Sequence, residues 1–484
     1  MKFSPVKPWH IYLLSALALF ILAVFSVGYY HPDEHFQILE FAGLKLNLTK
    51  PEYLPWEYHA RMRPAFQPAM VVVVHKVFAL FGNSDPFTIT MFLRMLSGAL
   101  SFVSMWMIYK CYSTKINDSI LQKWFLGLSF LLWFALYNNV RFSSETWSGS
   151  LFIIGFSYLF FRSRQPMKAD FLITGILLGL SFIIRFQTGF LVAGFLAWFA
   201  FIRKERFINI GYMIAGIFLP VIAGIITDYW FYGEWTLTAW NYFQQNILAD
   251  KISGFGINPW YFYVEDVFVR AGPPLGIVII LAFILVFIFR PKDLLTWTLL
   301  PFIAIHCLIG HKETRFFYPL IGFIPIFIIK ATEIVRDKWS SKLLENKYFL
   351  GYAKFFWICN EIMIILVFFI PADSQVKIYE TIYRNYHNPI TLYYFKEDPY
   401  ARALDIYYYK RKNLNIKKAE STNLLNADTS AVFLIAVKTG DKEIDKIKNK
   451  RLICSSFPEW LKKFNFNQWV ERTTFWDVYE VDNL

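Results

Sequence analysis

Long apolar runs recur along the first three quarters of the chain, separated by short polar connections. The first run, Ile11–Tyr29, has 19 residues and lacks a small-residue cleavage site, which favours a retained transmembrane helix over a signal peptide. Further runs of spanning or near-spanning length lie at about 87–109, 120–137, 146–161, 169–184, 189–202, 209–227, 273–289, 294–309, 315–329 and 351–370. The pattern therefore predicts a mainly α, polytopic membrane protein with about eleven transmembrane helices.

The distribution of Lys and Arg predicts which connections face the cytoplasm. Alternate connections between transmembrane helices face the same side of the membrane. One set of alternate connections, counted with the N-terminus, contains 18 Lys and Arg, and the other set contains 11. The more basic connections are Lys110–Lys123, Arg162–Lys168, Arg203–Arg206, Arg290–Lys292 and Lys330–Lys347. Eleven crossings also require the short apolar segment Pro68–Gly82 to lie in the outer interface without crossing. We expect the N-terminus and the more basic connections to face the cytoplasm. The less basic connections and the C-terminal tail are expected on the periplasmic or luminal face.

The charge density changes near residue 372. From Ala372 onward 33 of 113 residues are charged, against 52 in the first 371. We expect a transmembrane domain over residues 1–371 and a soluble α/β domain over residues 372–484. The elements expected in the second domain are strands over Ala431–Val437 and Phe475–Val481, helical pieces over Phe457–Phe464 and Tyr400–Tyr409, and a turn at Thr439–Asp441.

Composition supports a membrane protein and excludes several other classes. Hydrophobic residues make up 56% of the chain and charged residues 18%, against roughly 45–50% and roughly 25% in soluble domains. This excludes a globular cytosolic enzyme, a disordered chain and a fibrous repeat. The net charge of +13 could indicate a nucleic-acid ligand, but the uneven placement of the charges argues against one. The four cysteines lie far apart and indicate neither a disulfide framework nor a zinc site.

Ionisable residues follow the first apolar run directly, in the sequence HPDEH over residues 31–35. Such groups are costly at membrane depth unless they are used or paired. A structural explanation is a helix start, because Asp33 after Pro32 suits the beginning of a helix over Glu34–Leu46. The carboxylates of Asp33 and Glu34 are also candidates for acid/base chemistry.

The other connections on the same face also carry unusual polar groups. Carboxylates surrounded by cations indicate acid/base chemistry beside an anion, and arginine is favoured for phosphate because its fork binds two oxygens. We expect these groups to line one cavity together with His31, Asp33 and Glu34. They are Arg63, Arg141, Glu145, Arg185, Asp228, His311, Lys312, Glu313 and Arg315.

Two other functions fit part of this pattern. A metal site could use His31, His35 and His311 with the nearby carboxylates, but Pro32 interrupts the i, i+4 histidine pair and makes the spacing poor. A transporter or flippase of lipid-linked sugars would also be polytopic with a polar cavity. Alternating access usually involves paired repeats and midplane sites, whereas these motifs lie on one face and no repeat is visible.

The motifs occur in a recognisable order. They are HPDEHFQ at residues 31–37, WEY at 56–58 followed by Arg63-Pro64, RF-x-x-E at 141–145, D-x-x-x-Y-G at 228–233 and HKETRFFYP at 311–319. This set resembles glycosyltransferase family 22, and HPDE together with HKE-x-RF is specific to it. That family comprises polytopic GT-C mannosyltransferases that use polyprenyl-phosphate sugars, including the dolichyl-phosphate-mannose-dependent enzymes of N-glycan precursor and GPI-anchor assembly.

The resemblance implies transfer of a mannose or similar hexose, with inversion and with no metal or cofactor. The implied partners are a dolichyl- or undecaprenyl-phosphate sugar, a glycan or glycolipid acceptor and the lipid bilayer. It favours Asp33 over Glu34 as the catalytic base, because an aspartate in this loop has that role in related GT-C enzymes. Abundant Asn, Lys, Ile and Phe and few long inserts indicate a bacterial member in the inner membrane; a eukaryotic member would lie in the endoplasmic reticulum.

The HKETR sequence is expected to bind the phosphate of the donor. If a helix through Ile329 started here, Lys312 and Arg315 would share one face, and His311 and Arg315 would also do so. The helix N-terminus would add positive potential. Glu313 would orient an arginine such as Arg63, or contact a sugar hydroxyl.

Overall fold

The computed structural model describes residues 8–161, 165–401, 404–419, 432–463 and 475–482. The chain is mainly helical in these ranges, with a small sheet near the C-terminus. The α-helices in the first half are α1 Pro8–Phe25, α2 Pro32–Glu34, α3 Glu40–Lys45, α4 Trp56–His59, α5 Phe66–Leu80, α6 Pro86–Ser113, α7 Ser119–Leu131, α8 Trp133–Asn139, α9 Ser144–Phe161, α10 Lys168–Ile184, α11 Gly189–Ala197 and α12 Phe207–Tyr232.

The second half continues with shorter helices and all the strands described. These elements are α13 Thr238–Phe243, α14 Phe262–Arg270, α15 Pro273–Phe289, α16 Leu294–Leu308, α17 Ile324–Lys338, α18 Lys347–Phe369, α19 Ser374–Asn385, β1 Ile390–Tyr394, β2 Leu414–Lys418, β3 Val432–Lys438, β4 Lys450–Ser455, α20 Glu459–Lys462 and β5 Trp476–Asp482. Turns of π-helix occur at His35–Leu39, Trp198–Ile202 and Gln244–Leu248, and 3₁₀ segments at Pro51–Tyr53, Phe186–Thr188, Lys251–Phe255, Thr314–Phe323, Leu343–Glu345 and Lys442–Lys446.

Every apolar run predicted as a helix contains helix, although the first helix ends at Phe25 and some other runs are not single straight helices. The run 120–137 bends by 41° between α7 and α8, and the run 315–329 begins as a 3₁₀ segment. Within the described residues, five helices are long and apolar enough to cross a membrane, or up to seven if each bent pair is one span. The number of eleven crossings remains a prediction.

The bend between α7 and α8 is compensated by one buried asparagine. Leu132 is extended, so the backbone groups on either side of it lose their helical partners. Asn360 of α18 accepts a hydrogen bond from Trp133 N at 2.9 Å and donates one to Leu131 O at 2.7 Å. Asn360 has no exposed surface, and in apolar surroundings such groups must be satisfied internally. The side chain of a residue 227 positions away in the sequence therefore satisfies the backbone groups at the break in the helix.

The described residues form two compact units. The first comprises Met1–Leu22, His59–Ala69 and Leu93–Ile365, and the second comprises Ala23–Tyr58, Met70–Phe92 and Leu366–Leu484. The core of the first unit is an aliphatic and aromatic cluster from α6, α7, α9, α10, α11 and α15 to α17. The boundary expected at residue 371 remains a prediction.

Close backbone contact joins α10 and α12 in the first unit. A Cβ on Gly175 would overlap the carbonyl of Met213, and a Cβ on Gly216 would overlap that of Leu172. A Cβ on Gly179, one turn along α10, would lie 2.6 Å from the carbonyl oxygen of Ile217. Small residues at such spacing let membrane helices approach, since apolar side chains gain little by leaving lipid.

The second unit contains a five-stranded sheet in the order β2-β1-β3-β5-β4. β1 pairs in parallel with β2 and β3, and β5 pairs antiparallel with β3 and β4. Phe433, Ile435 and Val437 of β3 alternate onto one buried face with Val481 of β5. The two predicted strands are confirmed to within one residue, and the turn at Thr439–Asp441 is confirmed with Gly440 at φ +87°. Ala431 and Phe464, at the ends of predicted elements, lie outside the described residues.

The predicted helix over Tyr400–Tyr409 is wrong. Outside residues 402–403, which are not described, this segment is irregular and carries an isolated antiparallel bridge between Ala401 and Asp405. The N–H groups of Tyr407 and Tyr408 donate to the carboxylate of Glu40 at 2.8 and 2.9 Å. A side-chain acceptor far away in sequence thus replaces helical hydrogen bonding.

Substitution of Gly175 should destabilise the helix pair. For Gly175→Ala we expect a loss of about 1–3 kcal/mol in the free energy of unfolding, because the new methyl group meets a backbone carbonyl that cannot rotate away. Steric-trap unfolding in lipid discs measures this change. Gly211→Ala in α12 is the control, since a Cβ there meets nothing within 4 Å and should be neutral or slightly stabilising. Equal stability of the two variants would contradict close packing at Gly175.

Candidate active site

Two buried arginines in the first unit share one carboxylate. Glu145 lies in the first turn of α9, Arg185 directly follows α10, and Arg315 lies in the 3₁₀ segment before α17. Glu145 Oε1 accepts hydrogen bonds from Arg185 Nη1 at 2.6 Å and from Arg315 Nη1 at 3.4 Å. The three side chains are at most 10% exposed. One buried carboxylate oxygen therefore holds together the start of α9, the residue after α10 and the 3₁₀ segment before α17.

Glu313 extends this chain of alternating charges. Its Oε2 accepts from Arg315 Nε at 2.5 Å, and its Oε1 lies 2.9 Å from His311 Nε2. The other ring nitrogen of His311 lies 3.0 Å from Gly256 O. Glu313 therefore contacts an arginine, Arg315, and a contact with a sugar hydroxyl stays a prediction. We call Arg185, Glu145, Arg315, Glu313 and His311 the charge ladder.

Lys312 is placed differently from the expectation. The helix does not start before it: residues 311–313 are extended or irregular, Glu313 is the N-terminal cap, and the 3₁₀ segment begins at Thr314. The expectation that Lys312 and Arg315 share a helical face is therefore wrong. The Lys312 ammonium donates to three backbone carbonyls, those of Asn258, Ile309 and Gly310. Burial lowers the pKa of this ammonium.

Arg63 lies near the charge ladder in a connection fixed by Asp228. The carboxylate of Asp228 accepts from Ala65 N at 2.8 Å and from Thr238 Oγ1 at 2.6 Å. Tyr232 donates its hydroxyl hydrogen to Arg63 O at 2.7 Å. Both oxygens of Asp228 thus bind protein donors, which indicates that this residue positions the Arg63 connection.

The Arg63 guanidinium stacks over an aromatic ring that the sequence did not single out. It lies 5.5 Å from the centre of Tyr242, and Gln187 donates to the Tyr242 hydroxyl at 2.8 Å. Burial lowers the pKa of Arg185, Glu145 raises it, and repulsion from Arg315 and Arg63 lowers it further. Arg315 and Arg63 therefore each lie close enough to Arg185 to repel it.

Arg141 is also buried, with 2% of its surface exposed. Its guanidinium lies 5.1 Å from the centre of the Tyr137 ring, in the preceding helix α8. The backbone N–H of Arg141 donates to Asn138 O at the end of that helix. The RF-x-x-E motif therefore forms the turn between α8 and α9 and places Glu145 at the start of α9.

The HPDEH sequence lies in the second unit and forms a helix start. His31 is the N-terminal cap, and its Nδ1 accepts from Asp33 N at 3.3 Å. Glu34 Oε2 accepts from Tyr30 N at 3.0 Å, and Glu34 is 9% exposed. The Asp33 side chain is 23% exposed and lies 3.8 Å from His31 Nδ1. Of the two carboxylates, Asp33 is the more accessible.

A buried pair behind this loop was missed by the sequence analysis. His35 Nε2 lies 2.8 Å from Glu40 Oε1, the oxygen that also binds Tyr407 and Tyr408. The His35 ring stacks on Tyr29 and on Tyr409. The only signal of this pair in the sequence is Glu40, a second acidic residue in the otherwise apolar helix predicted over Glu34–Leu46. Within the described ranges, no group of three or more His, Cys, Asp or Glu is arranged to hold a metal ion.

Comparisons with known proteins agree with the motif resemblance. The sequence profile of the Alg9-like mannosyltransferase family matches residues 9–397. Human GPI alpha-1,2-mannosyltransferase 3 is 28% identical over 331 residues, covering 65% of this chain and 56% of the relative. GPI mannosyltransferase 4 of Schizosaccharomyces pombe is 26% identical over 412 residues, covering 77% and 72%. The chain spans little more than half the length of the vertebrate relatives it matches.

The fold resembles that of a solved bacterial protein. The crystal structure of ArnT from Cupriavidus metallidurans bound to undecaprenyl phosphate aligns with a TM-score of 0.54 and 10% identity, covering 99% of this chain and 98% of that one. Together with the apolar helices, this confirms the expected multi-pass membrane protein with a GT-C fold and a small C-terminal α/β region.

Removal of the shared carboxylate should destabilise the first unit. For Glu145→Gln we expect the free energy of unfolding to fall by about 3–5 kcal/mol, because Arg185 and Arg315 lose the anion that compensates their buried charge. Unfolding in lipid discs tests this. The control is Glu234→Gln, whose partner Arg61 is exposed and whose loss should cost no more than about 1 kcal/mol. Similar losses in both variants would show that Glu145 does not compensate a buried charge.

Proposed function

Because the chain belongs to the Alg9-like mannosyltransferase family, we propose that it moves a mannose, or a similar hexose, from a polyprenyl-phosphate carrier to a hydroxyl of a glycan or glycolipid. The observation that carries this proposal is the buried arginine pair of the charge ladder. Arg185 and Arg315 share one carboxylate oxygen, and the Nε of Arg185 is buried with no acceptor among the described residues. Two guanidinium groups held together in this way provide the paired donors that a phosphate binds.

Arginine side chains from three connections meet at this site. Arg185 and Arg315 share Glu145, and Arg63 lies close enough to Arg185 to repel it. Arginine also fits phosphate oxygens in pairs.

These arginines can lower the barrier as well as bind the donor. When the bond between the anomeric carbon and the phosphate oxygen breaks, negative charge grows on the departing lipid phosphate. Donors already fixed by Glu145 and Glu313 stabilise that charge without reorganising. Lys312, whose ammonium binds carbonyls, is assigned to hold the connection between α16 and the 3₁₀ segment in shape.

Asp33 is assigned as the base. Its carboxylate takes the proton of the acceptor hydroxyl as the hydroxyl oxygen attacks the anomeric carbon and the lipid phosphate leaves from the opposite side, which inverts the configuration. Its exposure and the engagement of Glu34 by a backbone N–H support this choice. His31 caps the same turn and keeps the Asp33 backbone in place.

The nature of the carrier and the orientation are parts of the same proposal. The named relatives are mannosyltransferases, and the solved ArnT structure holds undecaprenyl phosphate, so a dolichyl or undecaprenyl carrier is the donor we propose. The split of 18 against 11 Lys and Arg supports an active site on the periplasmic or luminal face. For a bacterial protein this is the outer side of the inner membrane.

Replacement of the base should slow the reaction with little effect on donor binding. For Asp33→Asn we expect turnover with polyprenyl-phosphate-mannose and lipid-linked acceptors to fall by roughly 10²–10⁴, the usual share of acid/base catalysis. Radiolabelled transfer in membranes measures the rate, and donor binding should stay near that of the parent. Glu34→Gln is the matched variant and should retain more activity. Unchanged turnover in Asp33→Asn would remove Asp33 from the mechanism.

Loss of Arg315 should weaken binding of the carrier. For Arg315→Ala we expect the Kd for free prenyl phosphate to rise roughly 10- to 150-fold, the range of one charge-assisted hydrogen bond, and turnover to fall further. Arg315→Lys should recover only part of the binding, since it lacks the fork. The control is Arg270→Ala, whose side chain is 55% exposed. Parent-like binding in Arg315→Ala would move the phosphate site to Arg141 and Arg185.

A further inference from the structure

The connection after α12 contains a helix whose apolar side faces outward. α13 runs into the π-helical turn Gln244–Leu248 without a break, so residues 238–248 form one continuous helical segment. Large apolar residues recur about once per helical turn on its outward side, and each is between 42% and 61% exposed. They are Leu237, Trp240, Phe243, Ile247 and Leu248, and we call them the apolar face.

The inward side of the same helix is polar and forms hydrogen bonds with the first unit. Thr238 is 4% exposed and donates to the Asp228 carboxylate. The hydroxyl of Tyr242 accepts a hydrogen bond from Gln187. A surface helix of a water-soluble protein shows the opposite arrangement, with its apolar side on the core and its polar side in solvent. The outward side of residues 238–248 is therefore suited to an apolar medium and not to water.

The sequence of this segment is free of charge over its whole length. No Asp, Glu, Lys or Arg occurs from Trp235 to Ala249, and the flanking charges are Glu234, which pairs with Arg61 at 2.5 Å, and Asp250. At roughly 16 Å, the helix is about half as long as the roughly 30 Å hydrocarbon core of a bilayer. It can therefore lie in the plane of the membrane interface but cannot cross the membrane.

The connection also continues directly from the lipid-facing side of a membrane helix. α12 is long and apolar enough to cross a membrane, and Ile222, Ile226 and Tyr229 near its end are exposed. Gly233 ends this helix at φ +78°, and the ring of Trp235 then stacks on that of Tyr229 with 4.5 Å between their centres. Tryptophan and tyrosine are enriched at the depth of the lipid headgroups. The connection therefore begins at the membrane surface, on the side of α12 that faces lipid.

We propose that residues 238–248 lie in the membrane interface, with the apolar face inserted among the lipids of the leaflet at which α12 ends. The partner of this surface is the bilayer itself. On the inward side Thr238 binds Asp228, which also holds the Arg63 connection, so the helix that rests on lipid supports part of the candidate active site. The proposal depends neither on the assignment of the base nor on that of the phosphate site.

Depth-dependent fluorescence quenching of the full chain in lipid discs tests this contact. The fluorescent amino acid Anap is introduced at Trp240 or at Leu248, and nitroxide-labelled lipids and aqueous iodide serve as quenchers. We expect loss of fluorescence with the lipid nitroxides and little loss with iodide. A nitroxide near the headgroup should quench more than one near the end of the acyl chain, because interfacial helices enter the bilayer by only about 5–10 Å.

Two control positions calibrate the quenching. Anap at Phe218, which is exposed in the middle of α12, should respond more strongly to the nitroxide near the chain end. Anap at Lys396, whose side chain is 72% exposed in a loop of the C-terminal sheet, should be quenched by iodide.

A charged substitution on the apolar face gives a matched comparison. With Anap at Leu248, Trp240→Glu should lower the quenching by lipid and raise the quenching by iodide, because a carboxylate is unfavourable among acyl chains. Trp240→Phe retains an apolar ring and should behave like the parent. Trp240 is exposed, so neither substitution should disturb the packing of the first unit.

Two results would overturn the proposal. Quenching of the probes at Trp240 and Leu248 by iodide but not by lipid would place the apolar face in water. Protection of both probes from both quenchers would mean that protein covers this face, either another part of the chain or a second copy of it.

Discussion

The arrangement of the first unit depends on compensating charge that is buried among apolar helices. Glu145 does this for two arginines from different connections, and Glu313 continues the pattern to His311. An unpaired guanidinium at this depth would be costly, so α9, the end of α10 and the 3₁₀ segment have to meet.

Backbone groups impose a second, weaker constraint on the same unit. At three interruptions of the described helices a side chain supplies hydrogen bonds to the backbone: Asn360 at the bend between α7 and α8, Asp228 at Ala65, and Lys312 at three carbonyls. Irregular backbone is tolerated in a membrane protein only where protein or water satisfies it. Several polar residues of the connections therefore serve to satisfy backbone groups.

The second unit uses one carboxylate in a similar way. Glu40 binds His35 and two backbone N–H groups of the segment near Tyr407, and it thereby fixes the helix that begins with the HPDE turn. His35 is held between aromatic rings on both faces. The turn that contains Asp33 is therefore followed by a helix that is tied to a distant part of the second unit.

The sequence by itself determined the membrane class, the helical runs, two strands of the sheet and the family motifs, because these depend on hydrophobic periodicity and on local residue order. It could also identify Glu145, Arg185 and Arg315, since charges in apolar surroundings are conspicuous. Only the tertiary structure decided that Lys312 faces carbonyls, that Asp228 holds a backbone, that Asn360 permits a bend and that Tyr400–Tyr409 is not a helix. Most of these outcomes depend on hydrogen bonds between residues far apart in the chain, and local pattern contains no information about such partners.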